Sequence, residues 1–112
     1  MMKDTISFGD FQKLDLRIGK VLEAESVEES DKLVKLQVDL GPDIGARQIL
    51  AGVGKKYSAA DLVGRMIVVV VNLESKEMMG LESEGMLLAA SKDEGPVLLT
   101  ISEDILPGAE VG

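Results

Sequence analysis

A chain of 112 residues, 46% of them hydrophobic and 29% charged, has enough apolar content for one modest core and too much for disorder. With no histidine and no cysteine, it can build neither the usual zinc or copper sites nor a histidine-based triad nor a disulfide framework, and with 3% aromatics the core must be filled by Val, Leu, Ile and Met. The N-terminus MMKDTISFGD lacks the apolar segment of a signal peptide, and no apolar run approaches the ~20 residues of a membrane span, so a soluble cytoplasmic protein is expected.

In chain order, SFGDFQKLDL (7–16) places Phe8, Phe11 and Leu14 at helical spacing after a Ser7 N-cap, predicting a short helix that covers one end of the core. LRIGKVLEAESV (16–27) is strand-like but changes phase around Gly19 and Lys20, predicting a bulge or sharp bend there. After the turn EESD (28–31), KLVKLQVDL (32–40) alternates cleanly, with Val34, Leu36, Val38 and Leu40 on one side and Lys35, Gln37 and Asp39 on the other. GPDIG (41–45) is a turn joining this strand to ARQILAGV (46–53) as a hairpin. SAADLVG (58–64) reads as a short helix, with Ser58 and Asp61 as a capping pair and Gly64 as its stop. RMIVVVVNL (65–73) is the most apolar strand, GMLLAA (85–90) and PVLLTI (96–101) follow, and the tail LPGAEVG is turn-forming.

Five or six short strands with one helix between the third and fourth predict an all-β fold. The order fits a five-stranded Greek-key barrel of the OB type with short terminal extensions, forming a single domain over residues 1–112. A β-sandwich is the alternative, which the inserted helix disfavours. Met66 to Val71 is unbroken, so alternate residues must point outward, and Leu87 to Ala90 pose the same problem. Either the N-terminal helix and C-terminal tail cover them, or they form a self-association face.

The net charge of −8 argues against nucleic acid, but its distribution is uneven. Residues 1–56 carry nine Lys or Arg against ten acids, and residues 57–112 carry three against ten, so a local positive patch fits in the first half. No D-x-D-x-D-G or G-x-x-x-x-G-K-S/T segment occurs, so most carboxylates read as solvated surface, and neither catalysis nor a metal or cofactor is expected.

FQKLDLRIGKV (11–21), SDKLVKLQVDLG (30–41), RQILAGV (47–53), DLVGRMIVVVVNL (61–73) and GLESEGMLLAA (80–90), in that order, resemble the tRNA-binding domain family. Its members occur at the C-terminus of many methionyl-tRNA synthetases, as free-standing structure-specific tRNA-binding proteins and in the endothelial monocyte-activating polypeptide. The resemblance spans residues 8 to 112. It implies an OB-fold, for the short bacterial and archaeal members a homodimer, and binding of tRNA by shape and backbone without chemistry. Such a module serves protein biosynthesis as a domain or subunit beside the catalytic part of methionyl-tRNA synthetase, or as a free-standing accessory protein.

The family motif N-L-K-P-x-K-M-x-G-x-x-S-x-G-M is matched at Asn72, Leu73, Met78, Gly80, Ser83, Gly85 and Met86. Lys76 supplies a base at a variable position, but Glu74 and Glu77 stand for lysines and Ser75 for proline. The resemblance implies that Asn72 and Ser83 bond to phosphate or a base edge and that Met86 packs against a base. The competing reading is that they satisfy backbone around a turn or fill core. Lys32 in SDKL, Lys35 on the exposed strand face, Arg47 opening RQI, and the adjacent Lys55 and Lys56 complete the expected tRNA-binding set. Arg17 is expected to pair with a neighbouring carboxylate. The acidic loop and the Met78–Met79 pair also fit a protein-binding module like the CsaA chaperones, which share the motif, although the PVLLTI and PGAEVG segments resemble the tRNA-binding branch.

Overall fold

The computed structural model describes residues 1–112. The period-two alternation of residues 34–40 produces β2 (Val34–Asp39), whose Val34, Leu36 and Val38 are buried while Lys35, Gln37 and Asp39 are half-buried on the opposite face. It pairs antiparallel on one edge with β1 (Leu16–Ser26) and on the other with β3 (Ala46–Ala51). The β2–β3 connection is the expected tight turn, with Gly45 donating to the Gly41 carbonyl at 2.7 Å. β1 pairs along its first half with β4 (Met66–Val70), and β4 pairs with β7 (Met86–Leu87), giving the order β3-β2-β1-β4-β7. The free edge of β3 then meets residues 82–85, and a nearly closed five-stranded antiparallel barrel of the OB type results.

Between β3 and β4 sits α2 (Ala59–Leu62), with Ser58 accepting from the Asp61 amide as the capping pair predicts and Gly64 turning the chain at φ +88°. Leu62 plugs this end of the barrel, fully buried. The core is aliphatic throughout, built on Val21, Leu36, Ile49, Ile67, Val69 and Leu87 with their neighbours. No helix is long and apolar enough to cross a membrane.

Three sequence expectations are corrected here. The irregularity expected around Gly19 and Lys20 comes slightly further on, where the register of β1 against β2 shifts between Val21 and Glu23. Glycine is required at position 19 because a Cβ there would meet Val38 Cγ1 at 2.5 Å and Leu40 Cδ2 at 2.9 Å. The second correction concerns α1 (Phe8–Gln12), which is capped by Ser7 as predicted but buries none of its residues. Phe8 is 70% exposed, Phe11 41% and Leu14 48%, so the helix does not cover the core. The outward set of β4 is instead served by the C-terminal segment. Val68 and its cross-strand neighbour Ile18 are both buried. Thr100 bonds to the Met66 carbonyl, Gly108 and Ala109 bond to Ile18, and β10 (Glu110–Val111) pairs with the start of β1. The third correction is one of length. GMLLAA and PVLLTI shrink to β7, β8 (Ala89–Ala90) and β9 (Val97–Leu98), because the chain leaves β4 after Leu88 and forms a separate β8–β9 hairpin.

Gly19→Ala is expected to lower stability by about 1–3 kcal/mol through overpacking, read as a fall in the urea-unfolding midpoint.

Candidate nucleic-acid interface

NLESKEMMGLESEGM (72–86) is a hairpin rather than a loop. β5 (Lys76–Met78) pairs with β6 (Leu81–Ser83), placing Lys76 opposite Ser83, Glu77 opposite Glu82 and Met78 opposite Leu81. The two turn residues, Met79 at φ +52° and Gly80 at φ +78°, are both left-handed, as a two-residue turn between twisted strands demands. Gly80 adopts this freely, whereas Met79 does so at a steric cost. Glu77 facing Glu82 adds cross-strand repulsion.

The base of this hairpin closes the barrel. Ser83 is 1% exposed; its Oγ accepts from the Leu50 amide at 3.0 Å and donates to the Gly85 carbonyl at 2.9 Å. Beside it the Glu84 amide donates to the Gln48 carbonyl at 2.8 Å, and Gln48 Nε2 donates to the Glu82 carbonyl at 2.9 Å. What Ser83 holds is therefore the seam between β3 and the hairpin, and its side chain is out of reach of an external partner. Asn72 also bonds inward: its Oδ1 accepts from the Asp15 amide at 2.9 Å and its Nδ2 donates to the Lys13 carbonyl, tying the end of β4 to the exit of α1. One amide hydrogen of Asn72 remains for a ligand, and the residue is exposed. Met86 is half-buried opposite Val70 on β7.

The predicted cations divide into tethered and free. Arg47 donates to the Val71 carbonyl at 2.7 Å, Lys35 pairs with Glu25 at 2.8 Å, and Lys55 pairs with Asp31 at 3.4 Å. Lys32, Lys56 and Lys76 are exposed and without a carboxylate partner. Lys76 lies on the hairpin, while Lys32 and Lys56 flank the turn at 52–57, where the Gly54 amide donates to the Lys32 carbonyl. Arg17 pairs with Asp15 at 2.6 Å, bonds to the Gly108 carbonyl, and is thereby part of the fold as expected. Its pKa is raised beyond the ordinary arginine value, first by that Asp15 hydrogen bond, with burial opposing.

Between the hairpin tip and residues 25–29 lies a cleft of about 660 Å³, where Glu25, Glu28 and Glu29 face Met79 and Leu81. Lys35, its one cation, is already engaged by Glu25. Sequence reasoning passed over Arg65 and Tyr57. Arg65 Cζ stands 5.2 Å from the Tyr57 ring centroid and Lys56 Nζ stands 5.9 Å from it. In the sequence Arg65 merely opens an apolar strand, so its proximity to Lys56 carries no linear signal.

A nearly closed OB barrel that offers a strand face flanked by a turn and a hairpin is a ligand-binding module of the oligonucleotide-binding class. The chain belongs to the putative tRNA binding domain family, whose model matches residues 16–110. It is 49% identical over 109 residues to a methionine–tRNA ligase of Archaeoglobus fulgidus, covering 97% of this chain and 16% of that protein. To the methionine–tRNA ligase of Thermotoga maritima it is 50% identical over 109 residues, covering 97% and 17%. The chain thus spans about a sixth of the length of these curated relatives. Among solved structures it is similar to a MetRS related protein from Pyrococcus horikoshii, with TM-score 0.89 and 32% identity over 98% of this chain and 100% of that one. It is equally similar to the chaperone CsaA of Bacillus anthracis, with TM-score 0.90 and 34% identity over 97% and 100%.

Ser83→Ala should leave the buried Leu50 amide without its acceptor and cost about 1–3 kcal/mol. A thermal melt reads the loss.

Proposed function

We propose that residues 1–112 act as one non-catalytic tRNA-binding module that works as a homodimer. It serves either beside the catalytic part of a methionyl-tRNA synthetase or as a free-standing cytoplasmic accessory protein. The observation that carries this reading is the family match over residues 16–110, which runs across the whole barrel from β1 to β10. Folded RNA is read through phosphates and 2′-hydroxyls, which suits a small barrel with scattered cations and no deep pocket. Lys32, Lys35, Lys55, Lys56 and Lys76 supply charge, Arg47 acts from its tether on Val71, Asn72 offers its free amide hydrogen, and Met86 packs against a base. Ser83 contributes by holding the hairpin. Glu74 and Glu77 remove phosphate contacts, so counterion release drives binding less strongly than in a lysine-rich hairpin.

The dimer is supported by α1. A five-residue helix is too short to persist on its own propensity. Its Phe8 and Phe11 rings lie 6.0 Å apart, exposed, with Ile6 at 63% and Leu14 at 48% beside them. An apolar face of this kind calls for a second surface, and a second copy would also join two weak RNA patches into one longer one.

A second reading, a protein-binding module like the CsaA chaperones, is favoured by the acidic cleft with Met79 and Leu81 at its wall. Suppression of client aggregation without any tRNA binding would select it.

In an anisotropy titration with total tRNA at low salt, binding is expected within ~10 μM and should weaken linearly in log affinity against log salt; no binding in that range sinks the tRNA reading. In sedimentation equilibrium the protein should run as a dimer and Phe8→Asp as a folded monomer. A wild-type monomer at all concentrations refutes the dimer.

A further inference from the structure

We infer that RNA phosphate is gripped at the α2 end of the barrel, by Arg65 and Lys56 mounted on the ring of Tyr57, and not in the cleft beside the hairpin. The inference rests on the tRNA-binding reading and specifies which part of the surface serves it.

Tyr57 is a fixed platform. Its side chain packs against the core and its hydroxyl accepts from the Leu98 amide at 3.2 Å. The ring carries two cations, Arg65 and Lys56, neither of which has a carboxylate within ion-pair distance. Arg65 is held from behind, its Nε donating to the Asp61 carbonyl at 2.9 Å in the last turn of α2. Its two terminal nitrogens make no bond within the protein, which leaves the forked face of the guanidinium free for the two oxygens of one phosphate.

Two like charges held near one ring repel each other, and a phosphate bound beside them offsets that repulsion while being attracted to both. Because the ring and the α2 carbonyl already fix Arg65, little side-chain freedom is lost when the anion arrives. A third unpaired cation belongs to the same end. Gly54 lies so close to Lys32 that a Cβ on it would meet the Lys32 carbonyl oxygen at 2.8 Å, which pins Lys32 against the 52–57 turn. The cleft beside the hairpin offers the reverse. Glu25, Glu28 and Glu29 line it, and its lysine is neutralised. A phosphate there would meet carboxylates without a free cation to offset them.

The test is the low-salt tRNA titration, repeated at several salt concentrations on the full chain. The variants are Lys56→Glu, Arg65→Glu, Lys76→Glu and, as a control of equal charge change, the exposed Lys3→Glu. The Lys56 side chain makes no hydrogen bond, so its variant remains informative even if Arg65→Glu loosens α2, which a thermal melt would reveal. Lys56→Glu and Arg65→Glu should each weaken binding at least about fivefold and lower the salt slope by about one. Lys76→Glu should cost less than either, and Lys3→Glu should bind as the parent does. Loss at Lys76→Glu with Lys56→Glu and Arg65→Glu unaffected overturns the inference and leaves the tRNA reading standing, as do equal losses in all four variants. Failure of the unaltered chain to bind tRNA removes both.

Discussion

The barrel depends on one seam. Four strands of this sheet find their neighbours by ordinary antiparallel pairing, but β3 has a free edge that only the descending arm of the 72–86 hairpin can reach. Ser83, the one buried polar side chain of the molecule, makes that join by taking the Leu50 amide and returning its own hydrogen to Gly85. An open β3 edge would leave a backbone amide unsatisfied beside Ile49 and Leu50 and expose a strand to foreign pairing. Gly85 belongs to the same constraint. Its φ of +136° and the approach of the Val70 carbonyl, 2.8 Å from where a Cβ would stand, exclude any side chain.

The seam explains why one stretch of sequence carries both strong family signals and marked departures. Positions at the base of the hairpin are fixed by barrel closure, whatever the ligand. Positions on its arms and tip answer only to solvent, to each other and to a partner. Glu77 opposite Glu82 and left-handed Met79 are both locally unfavourable, yet the hairpin persists because its base is anchored in the core. Charge on the arms can therefore change without endangering the fold, and the acidic cleft beside them follows from the same freedom.

Much of the architecture was legible where local rules act alone. Period two gave β2, a capping pair gave α2, turn residues gave the hairpin at 41–45, and Arg17 found its expected carboxylate. What was not legible depends on who lies opposite. Gly19 reads as a bend in sequence but is an absence of volume facing Val38 and Leu40. Phe8, Phe11 and Leu14 have the spacing of a covering helix, and nothing in that spacing says that no core lies beneath them. The candidate site was half legible. The lysines could be named one by one, whereas the joining of Lys56 to Arg65 runs through a tyrosine ring and a barrel end that no linear motif marks. Asn72 and Ser83 were recognised as important positions, and the structure supplies a backbone role for each.

The chain has one tyrosine and no tryptophan. That single ring is the platform between Arg65 and Lys56, its hydroxyl held by Leu98. All of the protein's intrinsic tyrosine emission therefore originates at one end of the barrel. The molecule carries a built-in, label-free optical reporter whose brightness depends on the charges around that ring.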